Sequence, residues 1–63
     1  MNRYRLDFAL TDGKQQDIEV TANDKPDAMR FGSRTMASLI RQRGWQCKIK
    51  AMQITLVAEN VEG

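Results

Sequence analysis

Few residues in this chain could do covalent chemistry. Histidine is absent from all 63 residues, which removes the commonest general base and the commonest metal ligand. The lone cysteine, Cys47, has no ligand partner in CxxC or CxxH spacing, and one cysteine permits no internal disulfide. As a nucleophile Cys47 would need an activating neighbour. Lys48 is adjacent, but in an extended segment it projects to the opposite side. Cys47 alternates with Trp45 and Ile49 and reads as a small buried apolar residue. Asp7, Asp17 and Glu19 fall on the polar phase of two strands, where exterior charge is commonplace. Gly13-Lys14 lacks the other glycine and the following helix of a phosphate-binding loop, so it reads as a hairpin turn. No catalytic, metal-ligating or cofactor-binding residue is assigned, and the chain is expected to act by binding, without a cofactor.

What remains is charge and apolar surface. The net charge of +2 conceals an asymmetry: residues 30–50 hold Arg30, Arg34, Arg41, Arg43, Lys48 and Lys50 and no acid. Arg30, Arg34 and Arg41 fall within about 40° of one another at helical spacing. Such a row can meet an acidic protein or follow a phosphate backbone, and Lys48 and Lys50 share one strand face that could extend it.

The elements that position these residues follow from periodicity. Tyr4, Leu6, Phe8 and Leu10 alternate with polar residues over 3–11, as in a strand with one buried face. Thr11-Asp12-Gly13-Lys14 reads as a tight turn, and Ile18, Val20 and Ala22 as a second strand. A three-residue loop pairs Arg5 with Glu19, favourably, and Asp7 with Asp17, unfavourably. A helix then runs from Asp24, as N-cap, to Arg43, ending at Gly44. Pro26 suits its first turn, and Asp27 the positive end of its dipole. Ala28, Gly32, Thr35 and Leu39 centre one face, flanked by Phe31 on one side and by Met29, Met36 and Ile40 on the other. That apolar arc is wider than one sheet requires. Glycine mid-face implies a close approach of the helix to a neighbour.

Trp45, Cys47, Ile49 and Ala51 alternate in one phase, and Met52, Ile54, Leu56 and Ala58 in the other, with no turn residues between. This reads either as one strand over 45–58 with a bulge near Ala51-Met52, or as a strand that leaves the monomer as an exchanged arm. Residues 59–63 read as a loose tail. The fold expected is one α+β domain of order ββαβ. It has a three-stranded mixed sheet in order 2-1-3, the third strand parallel to the first, and one helix on one face. The open face would carry Arg3, Arg5, Asp7, Asp17, Glu19, Thr21, Gln46, Lys48 and Lys50. The hairpin–helix–strand order resembles the start of ubiquitin-like β-grasp domains; without a di-glycine tail the resemblance implies no function.

No run of about 18 apolar residues exists to span a membrane, and the N-terminus lacks a secretory pattern. A reduced, cytoplasmic setting is expected. A chain of this size is marginally stable and commonly gains support from a partner. The first expectation is therefore a regulatory protein-interaction module, a homodimer or the ligand of a larger, acidic protein. Many bacteriophage accessory proteins act in that way. Its contact residues would be Met29, Met36, Ile40, Arg30, Arg34 and Arg41. The alternative is binding of DNA or RNA through Arg30, Arg34, Arg41, Lys48 and Lys50.

Overall fold

The computed structural model describes residues 1–60. The chain runs β1 (Asn2–Leu10), β2 (Gln15–Ala22), α1 (Lys25–Arg43) and β3 (Ile49–Ala58), with one sheet in order β2-β1-β3. This is the expected α+β arrangement of one helix on a three-stranded sheet. The alternation of β1 decides its orientation. Leu6, Phe8 and Leu10 are almost completely buried and Tyr4 nearly so, while Arg3, Arg5 and Asp7 stay exposed. The hairpin register pairs Arg5 with Glu19 and Asp7 with Asp17, as the loop length implies.

The direction of β3 is a correction. The expected mixed sheet set β3 parallel to β1; the two are antiparallel, and so is every adjacent pair. The helix is the reason. At about 1.5 Å per residue its 19 residues extend roughly 28 Å, close to the length of β1. It starts where β2 ends and returns the chain to the hairpin-turn end. The crossover therefore makes β3 parallel to β2, the strand that feeds the helix, with β1 between them as in a split βαβ unit.

Both helix ends carry the expected caps. Asp24 accepts a hydrogen bond from the Asp27 N–H at 3.0 Å, and Pro26 lies in the first turn. Gly44 is left-handed at φ 68°, and the N–H groups of Gly44 and Trp45 donate to the carbonyls of Arg41 and Ile40. That pair of bonds is a Schellman closure, and it directs Trp45 back onto the core.

The helix face differs from expectation by a small rotation. Ala28, Gly32 and Met36 are its buried residues, whereas Thr35 is exposed. The close approach expected at Gly32 is to the sheet: a Cβ there would overlap a Leu6 methyl group and come 3.2 Å from Leu6 Cγ. The axis lies mainly over β2. Consequently the core side of β3 is only half covered, and Leu56 is 45% exposed.

β3 stays within its own sheet along its full length, paired with β1. The ladder shifts register twice. Lys50 is the extra residue between Ile49 and Ala51, and Val57 the extra residue between Leu56 and Ala58. The first bulge lies one residue before the expected position and produces the change of apolar phase. Ile49 faces the core opposite Leu10; after Lys50, Met52, Ile54 and Leu56 face it opposite Phe8, Leu6 and Tyr4. Residues 45–48 precede the strand, and Lys48 is held by two 3.0 Å bonds with Thr11. Of the expected loose tail, the Asn60 N–H donates to Asn2 Oδ1 at 3.1 Å, and 61–63 lie outside the described residues.

Candidate interaction surface

Cys47 is half-buried beside the core. Burial pushes its thiol upward, and the nearby Asp12 carboxylate adds to the rise. It therefore stays a protonated thiol near neutral pH, the opposite of an activated nucleophile. Asp7 and Asp17 face each other on the open sheet face beside Gln53, in a wide, shallow depression. Among the described residues no group of three or more histidine, cysteine or carboxylate side chains could hold a metal ion. No helix among them is long and apolar enough to cross a membrane.

The arginine row lies on the helix side away from the sheet. Arg30, Arg34 and Arg41 are all exposed. Arg30 reaches Asp27 at 3.8 Å, an exposed pair of small energetic weight. Arg34 borders a shallow groove with Ile18, Thr35 and Leu39. Lys48 and Lys50 are exposed but do not lie beside Arg3 and Arg5, as a parallel β3 would have placed them. Arg3 and Arg5 pair with Ala58 and Thr55, at the other end of the strand. The antiparallel course gathers the cations differently. Lys14, Arg41, Arg43, Lys48 and Lys50 collect where the hairpin turn, the helix end and the start of β3 meet, on a molecule 37 Å long. Asp12 is the acid of that end, and Lys14 Nζ holds it at 2.7 Å. The same ammonium stands 5.3 Å from the centre of the Trp45 ring.

Two of the three apolar contact residues keep some access. Met29 is 39% exposed and Ile40 half-buried. Met36 is fully buried and so leaves the surface set: the rotation that exposes Thr35 turns Met36 onto the sheet.

The feature that residue patterns did not single out is the free edge of β3. Leu10 donates to Lys14 on the β2 side, and Thr11 to Lys48 on the β3 side. Backbone groups alternate in direction along an antiparallel strand. Ala9, Asp7 and Arg5 therefore direct theirs to β3, where Ala51, Gln53 and Thr55 answer them. The N–H and C=O groups of Met52, Ile54 and Leu56 are left pointing away from the sheet. From Ala51 to Ala58 no residue of this edge is charged, whereas the opposite edge, β2, carries Asp17 and Glu19. Leu56, Val57 and Met29 add exposed apolar surface beside it. The signal for this edge was present in the uncharged run 51–58, but its being an edge depends on strand order. Compared with family models, curated proteins and solved structures, the chain matches none of them.

Proposed function

We propose that the chain is a non-enzymatic protein-interaction module that engages its partner through the free edge of β3 and the apolar strip beside it. The observation that carries this reading is the uncharged stretch Ala51–Leu56, whose outward backbone groups at Met52, Ile54 and Leu56 have no partner strand among the described residues, with exposed apolar surface at Leu56, Val57 and Met29. Natural edge strands are normally blunted by charge, proline or cover. Here the bulges at Lys50 and Val57 delimit a regular segment that nothing among the described residues covers. An extended segment of a partner added there would gain backbone hydrogen bonds, with the apolar strip selecting its side chains. The row Arg30, Arg34 and Arg41 would raise the encounter rate with an acidic partner. A cytoplasmic setting, where Cys47 remains reduced, suits the reading.

A photoreactive benzoylphenylalanine in place of Val57 tests it in cells of the source. A discrete protein adduct that survives nuclease, and that weakens at least tenfold with Leu56→Pro, is expected. Absence of any adduct from position 57 would remove the reading.

A second reading, nucleic-acid binding, is favoured by one observation: the cations gathered at the turn end, Arg41, Arg43, Lys48 and Lys50. If it holds, Arg41→Glu with Lys48→Glu weakens binding of single- or double-stranded oligonucleotides at low salt and flattens the salt dependence by about one unit of slope per lost phosphate contact. Affinity unchanged in that variant would exclude it.

A further inference from the structure

We infer that the occupant of the β3 edge is β3 of a second copy, paired antiparallel about a two-fold axis that lies between the Ile54 residues of the two copies. The inference rests on the proposed role of that edge and names its partner.

The strand is complementary to itself. Antiparallel neighbours keep opposed residues on the same face, and outward-pointing backbone groups must meet outward-pointing ones. With the axis between the two strands at this level, Ile54 opposes the Ile54 of the second copy, and Met52 opposes Leu56. These are the residues whose backbone groups point outward, and their side chains all lie on the helix side. On the open face Gln53 opposes Thr55, two uncharged polar side chains. Ala51 opposes Val57, and Lys50 meets only Ala58. No like charges face one another. The β2 edge cannot do the same, because Asp17 and Glu19 would bring carboxylates together. Two uncharged strands thus have no electrostatic reason to reject each other.

The surface area agrees in scale. The chain exposes 4552 Å², against roughly 4,100 Å² for a compact monomer of its mass. Pairing along 51–57, with Met29, Leu56 and Val57 partly covered, would bury on the order of 500 Å² per copy, at the small end of specific interfaces. Area alone does not set affinity; a weak dimer, half formed between about 10 μM and 1 mM, is the expected outcome. The six-stranded sheet would carry both helices on one face, and the two arginine rows with them.

Three measurements test it together. Sedimentation equilibrium of the wild-type chain from 5 μM to 1 mM should show a monomer–dimer equilibrium. Leu56→Pro should raise the dissociation constant about tenfold, since symmetry removes two interchain hydrogen bonds while the lost N–H is one that β1 does not use. The register is read from disulfides in a Cys47→Ser background. Ile54→Cys should oxidise to a covalent dimer, because opposed hydrogen-bonded residues lie about 5.5 Å apart at Cα. Thr55→Cys should not, its Cα being roughly 8 Å from its symmetry mate by strand rise and spacing. A monomer throughout, or cross-linking at 55 rather than 54, overturns the inference. A monomer whose position 57 still cross-links a different protein overturns self-pairing alone and leaves the docking edge standing. A monomer with no adduct removes both.

Discussion

Gly32 lets the helix approach β1 until Leu6 fills the space where a side chain would be. Replacing it with alanine gains about 1 kcal/mol of helix propensity and loses about 1–3 kcal/mol to overpacking, because Leu6 has no exposed side to move toward. Gly32→Ala is thus expected to lower stability by up to about 2 kcal/mol in urea unfolding. Leu6→Val should make the same change less costly, a coupling that a double-mutant cycle measures. The Asp12–Lys14 pair acts on another part of the pH scale. The Lys14 hydrogen bond holds Asp12 below its ordinary 3.8, and the Asp12 carboxylate raises Lys14 above its ordinary 10.5. A depressed carboxylate stabilises the fold above its unfolded pKa, and that contribution disappears as pH falls through the lower folded value. A raised amine contributes below 10.5 and is lost as pH rises through its folded value. The melting temperatures of wild type and Asp12→Asn should therefore differ slightly at pH 7 and converge toward pH 2. Divergence on acidification would refute the pairing.

At the scale of elements, the decisive feature is the bulge at Lys50. A strand alternates with period two, so one extra residue exchanges its inward and outward sets. Removing Lys50 should therefore leave Ile49 facing the core opposite Leu10 and produce a regular ladder. Removing Gln53, between the bulges, should turn outward either Met52, with the bulge at Lys50 taking up the shift and Ala51 turning in, or both Ile54 and Leu56. Deletion of Lys50 is expected to shift stability by less than about 1 kcal/mol, and deletion of Gln53 to cost about 2 kcal/mol or more, the loss of at least one large inward side chain. Circular dichroism melts of the two deletions distinguish them, and equal damage from both would contradict the assigned register. The hairpin holds a smaller conflict. Asp7 and Asp17 oppose each other, so Asp17→Asn should stabilise by about 0.2–1 kcal/mol in urea unfolding at low salt, and added salt should shrink the gain.

For the whole molecule, binding of a partner to the folded state alone raises its melting temperature by mass action. If β3 pairs with itself, the melting midpoint of the wild type should climb by several degrees between 5 μM and 500 μM, and that of Leu56→Pro should climb less over the same range. A midpoint independent of concentration would leave the edge without a second copy. The 37 Å length also separates the charges: acids Asp24, Asp27 and Glu59 lie at the end opposite the gathered cations. That separation comes from topology, since Lys14, Arg43 and Lys50 belong to three different segments.

Local physics alone determined much of this protein. The alternation of Tyr4, Leu6, Phe8 and Leu10, the turn at Gly13, the caps at Asp24 and Gly44 and the Arg5–Glu19 register all follow from rules that act over a few residues. The change of phase after Ala51 announced a bulge without locating it to the residue, because an uncharged alanine fits either face. Tertiary structure decided the rest. Whether β3 runs with or against β1 depends on where the helix delivers the chain. Whether Met36 or Thr35 faces the sheet depends on how the helix settles over β2, since both lie within one apolar arc. The free edge of β3 exists only once strand order is set, because every strand carries unpaired backbone groups until a neighbour takes them.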